Sequence, residues 1–77
     1  MNYTEHITRD PAVCGGEPVI RGTRVLLRTL LASLAQGDSV DDILRDFPTL
    51  TRQDLTAVIA FAAAATQEDL PISGVPA

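Results

Sequence analysis

From Leu27 onward the apolar residues recur with the period of a helix. Leu27, Leu30, Leu31 and Leu34 fall at i, i+3, i+4 and i+7, the stripe an amphipathic helix buries. Gly37 supplies the residue that ends such a helix at C′, so a first helix is predicted over about 27–36. Ser39 with Asp42 three residues on reads as a capping box carrying Asp in place of the usual Glu. Val40, Ile43, Leu44 and Phe47 then give a second helix, about 40–47, its inward face. Pro48 closes it, because the proline ring disfavours a helical conformation at Phe47. Thr51 and Asp54 repeat the start signal, and Leu55, Val58, Ile59 and Ala62 repeat the helical spacing. A third helix is therefore predicted over about 51–66, with Ile59 turned inward.

Ahead of Leu27 the period is lost. Ile7 alternates with His6 and Thr8 as in a short edge strand. A loop follows through Pro11, Gly15, Gly16 and Pro18, and Val19-Ile20-Arg21 and Thr23-Arg24-Val25 read as extended segments either side of Gly22. A β-element over 5–26 thus precedes the helices, and residues 1–66 form one mainly α domain. The last stretch, 67–77 (QEDLPISGVPA), holds two prolines and a glycine and is expected to leave the domain as an extended or flexible tail.

The second and third helices, joined through Pro48-Thr49-Leu50, have the lengths of a helix-turn-helix, which the first helix would brace. On a helical wheel the face opposite Leu55 and Ile59 carries Gln53, Thr56, Ala57, Ala60, Ala64 and Gln67. Arg52, Gln53 and Thr56 are residue types that read base edges or hold phosphates, and Ala57 would let the helix approach a groove closely. Arg24 and Arg28 are candidates for further phosphate contacts. A competing use of the same face is protein packing, since Ala60 and Ala64 are four apart and suit close helix–helix contact. In a strand Arg21 and Arg24 point to opposite faces unless a bulge at Gly22 intervenes.

Size and charge change this picture. A chain of 77 residues buries only about 60% of the surface its unfolded form exposes. With one cysteine and no cluster of metal-type ligands, a second subunit or a partner is expected to supply the missing burial, most simply in a homodimer. The lone Cys14, the lack of a leader-like opening and an apolar stretch (57–65) far short of the roughly 20 residues a bilayer needs point to a soluble, cytoplasmic protein with no membrane role. Arg9, Arg21, Arg24 and Arg28 against Glu5, Asp10 and Glu17 leave +1 on residues 1–30. Arg45 and Arg52 against seven acids leave −5 on residues 31–77, within a net charge of −4. Nucleic-acid binders are usually basic overall, so this balance weakens the case for unaided DNA binding. No lysine is present, and every cation is a guanidinium suited to bidentate contacts.

Catalytic chemistry finds little to work with. The single histidine and single cysteine, His6 and Cys14, have no third group to orient them, and read better as an exposed histidine and a small buried thiol. Asp41 and Asp42 favour a helix N-terminus, and Asp41 to Arg45 is an i,i+4 ion pair. Gly15-Gly16 reads as a turn, since no lysine or helix start follows it as in a phosphate loop. No enzyme, cofactor, metal or small-molecule substrate is expected.

The segment GGEPVIRGTR (Gly15 to Arg24), followed by LLASLAQGDSVDDILRDFPTLTRQDLTAVIAFAA, closely resembles domain-of-unknown-function family 433. Gly15, Gly16, Pro18, Ile20, Gly22, Thr23, Arg24, Gly37, Pro48 and Leu50 match that family's motif positions over about residues 7–65. Leu26 and Leu27 depart from it where Pro-Val is frequent, which leaves the start of the first helix open. The resemblance implies a tri-helical, homeodomain-like fold with an N-terminal β-element. It also implies a VapB-type antitoxin of a bacterial type II toxin–antitoxin pair, partnered by a PIN-like ribonuclease toxin. On that reading a homodimer binds operator DNA, and the tail, through Leu70, Ile72 and Val75 with the acids Glu68 and Asp69, folds onto the toxin. The other class left open is a protein-interaction module that binds its partner and never touches DNA.

Overall fold

The first helix, α1 (Leu27–Ala35), starts without a side-chain cap. Its first N–H is satisfied instead by the carbonyl of Pro18, at 3.1 Å, which ties the helix to the strand before it. The computed structural model describes residues 2–66. Gly37 ends α1 at φ +96°, with its N–H on the Leu34 carbonyl and the Asp38 N–H on the Ser33 carbonyl. These are the two bonds of a Schellman cap, and a side chain at C′ would resist that left-handed backbone.

α2 (Val40–Asp46) and α3 (Arg52–Ala65) both begin in capping boxes, Ser39 with Asp42 and Thr51 with Asp54, each reciprocal. The Ser39 and Thr51 caps each contribute roughly 1 kcal/mol. The Asp42 carboxyl is held below its ordinary value, chiefly by the Ser39 backbone N–H and then by the Ser39 hydroxyl, with Arg45 adding attraction against a small burial effect. The expected Asp41–Arg45 pair does not form. Arg45 turns back to Asp42 at 3.4 Å, and Asp41 is engaged by Arg52 of α3. The turn between α2 and α3 closes with the Leu50 N–H on the Phe47 carbonyl and with Leu50 buried.

The β-element is smaller than the sequence suggests. A 3-10 turn at Tyr3–Glu5 opens it, and β1 (Ile7–Thr8) pairs antiparallel with β2 (Val19–Ile20) in the register Ile7–Ile20 and Thr8–Val19. Thr23-Arg24-Val25 forms no strand. The chain reverses at Gly22, φ +80°, and comes back to make a single bridge from Leu26 to Val19.

Ile7, Ile20, Leu27, Leu30, Ile43, Leu50, Leu55, Ala57 and Val58 form one core, with Tyr3, Phe47 and Phe61 packed at its margin. The described residues are thus mainly helical, three helices with a short two-stranded sheet laid on the third. No helix among the described residues is long and apolar enough to cross a membrane.

Candidate functional site

α3 is clasped from two directions, and this decides which of its residues are free. Leu55 and Val58 enter the core shared with α1 and α2. From the other side the N-terminal arm holds it at two points: His6 Nδ1 meets Asp54 Oδ1 at 2.8 Å, and Tyr3 stands edge-on to Phe61, centroids 5.5 Å apart at 89°. Asp54, Ala57 and Phe61 are spaced i, i+3 and i+7 and so share one stripe. Ala57 therefore lies under the arm, between the two contacts, and is fully buried.

That corrects two expectations. Ala57 is not available to a DNA groove; it is small because the arm crosses it. Ile59 does not point inward but is 47% exposed, because the arm rotates the buried arc of α3 toward Asp54 and Phe61. Arg52, Gln53 and Thr56 do lie exposed in the first turns of α3. Thr56 donates its hydroxyl to the Arg52 carbonyl at 3.1 Å, and the Arg52 guanidinium is committed to Asp41. The free face of α3 therefore reads Gln53, Thr56, Ile59 and Ala63, with only one cation, already paired, at its start.

His6 is correspondingly not a free exposed histidine, its side chain being only 25% exposed beside the 15% of Asp54. Burial by itself would raise the Asp54 carboxyl. The Thr51 backbone N–H, the His6 ring and the Thr51 hydroxyl outweigh it, and the group is held below its ordinary value. Cys14 is half-buried rather than buried, with its thiol toward the Arg24 carbonyl at 3.7 Å.

The second positive feature becomes coherent in three dimensions. Through the left-handed turn at Gly22, Arg21 and Arg24 both line one open groove of about 540 Å³, floored by Val19 and bordered by Thr8, Thr23 and Asp10. The Arg21 guanidinium also donates through Nη2 to the Thr4 carbonyl at 2.8 Å, which fixes one edge of the head group. Arg28 is exposed in the first turn of α1 and does not line this groove. The convergence of Arg21 and Arg24 is the alternative that the sequence left open at Gly22, whereas the Arg52–Asp41 pair and the His6–Asp54 contact are what sequence reasoning missed. No local pattern signals these two, whose partners lie 11 and 48 residues apart.

Leu70, Ile72, Val75, Glu68 and Asp69, the expected partner-binding residues, lie outside the described residues. Among the described residues no three His, Cys, Asp or Glu side chains gather as a metal site would require.

The family described as "Protein of unknown function (DUF433)" matches residues 7–62. The uncharacterized protein y4eO of Sinorhizobium fredii is 38% identical over 60 residues, which are 78% of this chain and 27% of that protein. A DUF433 member protein from Anabaena variabilis, known by its crystal structure, superposes with a TM-score of 0.73 at 36% identity, over 82% of this chain and 66% of that one. The chain thus spans about a quarter of the first relative's length and just under two thirds of the second's.

Proposed function

The chain belongs to the DUF433 family, and on that premise we propose that it is a non-enzymatic antitoxin of a bacterial type II toxin–antitoxin pair. Its α2–turn–α3 unit, braced by α1, acts as a homeodomain-like helix-turn-helix, and residues 67–77 bind a PIN-like ribonuclease toxin. The observation that carries the DNA half is the exposure of Gln53 and Thr56 in the first turns of the second helix of that unit. From that position in a helix-turn-helix, side chains reach base edges. Arg52 follows once phosphate replaces Asp41 as its partner, and Arg28, exposed outside the Arg21–Arg24 groove, supplies a backbone contact. A homodimer sets two such units on successive major-groove turns, about 34 Å apart.

A second reading, a protein-interaction module without DNA binding, is favoured by one observation: Asp38, Asp41, Asp42 and Asp46 surround the same unit, and Asp41 already holds Arg52. A first helix so acidic repels the phosphates it would cross. A gel-shift on the DNA upstream of the gene, at low and physiological salt, separates the two. The first reading expects a complex that weakens with salt and is lost in Gln53→Ala/Thr56→Ala. No shift by the free protein or by its complex with the toxin removes the DNA half.

A further inference from the structure

The six arginines divide into two groups. Arg45 and Arg52 are each paired with an aspartate of α2. Arg9, Arg21, Arg24 and Arg28 have no carboxylate within 4 Å among the described residues. Two of these four, Arg21 and Arg24, converge on the groove at the Gly22 turn. A matching surplus of acid lies on α2. Asp46 stands at its C-terminal end and Asp38 precedes its N-cap, whereas Asp42 is already taken up by Ser39 and Arg45. Asp46 is exposed, and neither it nor Asp38 has a cation within 4 Å among the described residues.

Within one chain these surfaces do not meet. α2 packs on α1 and α3, whereas the β-element packs on α3 through both the arm and β1, and no ion pair joins groove to α2. We propose that the Arg21–Arg24 groove docks the acidic α2 surface of a second copy of this chain, two copies related by a twofold axis making the contact twice. This rests on the reading of the protein as a homodimer and names the surface that forms it.

The groove's composition favours this occupant over a polyanion. Asp10 stands on its border with one oxygen already accepting the Ala12 N–H at 2.9 Å, so a ligand with charge at every step meets repulsion there as well as from the acidic half of the chain. A helix flanked by two spaced carboxylates, Asp38 and Asp46, presents charge only where the guanidiniums are. Such pairing sets partner choice and salt dependence more than raw affinity.

The test is the oligomeric state of the full chain by analytical ultracentrifugation, with circular dichroism confirming that each variant stays folded. The parent is expected to be dimeric, with its dissociation constant rising at least tenfold between low and high salt. Arg21→Glu/Arg24→Glu and Asp38→Arg/Asp46→Arg are each expected to be monomeric at concentrations where the parent is dimeric. Mixing the two variants is expected to restore a heterodimer, because each reversed groove then faces a reversed helix. If the parent is dimeric but the groove variant remains so, or the mixture stays monomeric, this surface is wrong while the dimer stands. A parent that is monomeric at every concentration removes the dimer itself.

Discussion

His6 Nδ1 lies 2.8 Å from Asp54 Oδ1, joining the arm before β1 to the first turn of α3 across 48 residues of chain. The same Asp54 caps α3 through the Thr51 backbone N–H, at 2.9 Å. One carboxylate thus starts the helix and fastens the arm that rotates it.

Removing the histidine is expected to destabilise the fold. His6→Ala leaves the carboxylate with fewer donors in a largely covered position, and a hydrogen bond to a charged group contributes roughly 1.5–3 kcal/mol. The midpoint of urea unfolding at neutral pH is expected to fall accordingly. A value within experimental error of the parent's is inconsistent with the arm being held there.

Asp54 also sets an acid limit. Its carboxyl is lowered in the folded state below the 3.8 of a free aspartate. The stability it contributes is therefore fully present above that value and is lost as pH falls through the folded-state value. Thermal melts from pH 6 down are expected to hold level until about pH 4 and then fall. In Asp54→Asn the acid-side decline is expected to be shallower from a lower plateau.

Ala57 and Gln53 separate burial from binding. Ala57→Gln forces a polar side chain under the arm, where no partner waits, at a cost of about 2–4 kcal/mol. Gln53→Ala, on the exposed face, is expected to change stability by no more than about 0.5 kcal/mol. Chemical denaturation of both variants distinguishes this placement of α3 from one with Ala57 outward, in which both substitutions would be mild.

Gly22 tests the turn that unites the two arginines. A methyl group there meets nothing within 4 Å, so the strain of Gly22→Ala is purely that of the backbone at φ +80°. A left-handed non-glycine residue costs roughly 1–2 kcal/mol, and that loss is expected in equilibrium unfolding.

Much of this was legible locally. Ser39–Asp42, Thr51–Asp54, Gly37 and Pro48 mark helix ends through interactions three or four residues long, and α1, α2 and α3 lie within a residue or so of the expected spans. The rotation of α3 was not legible, because it depends on Tyr3 and His6 reaching Phe61 and Asp54 from the other end of the chain. Four apolar positions, Leu55, Val58, Ile59 and Ala62, fit a two-sided bundle; the third side, made by the arm, turned Ile59 out and Ala57 in. In the same way Arg52 looked free because its partner, Asp41, sits on another helix. Whether Arg21 and Arg24 share a face stayed open in the sequence, because it turns on whether Gly22 continues a strand or reverses the chain, and the chain reverses there.

The proposed role is to bind and silence a ribonuclease. The most direct measurement is co-expression of the full chain with the product of the neighbouring gene, affinity capture, and assay of RNA cleavage by the captured pair and by the neighbour alone. The expected result is a stable complex with cleavage suppressed, lost when residues 67–77 are removed while the domain stays folded. A neighbour that fails to co-purify and cleaves RNA equally well with and without this protein contradicts the account.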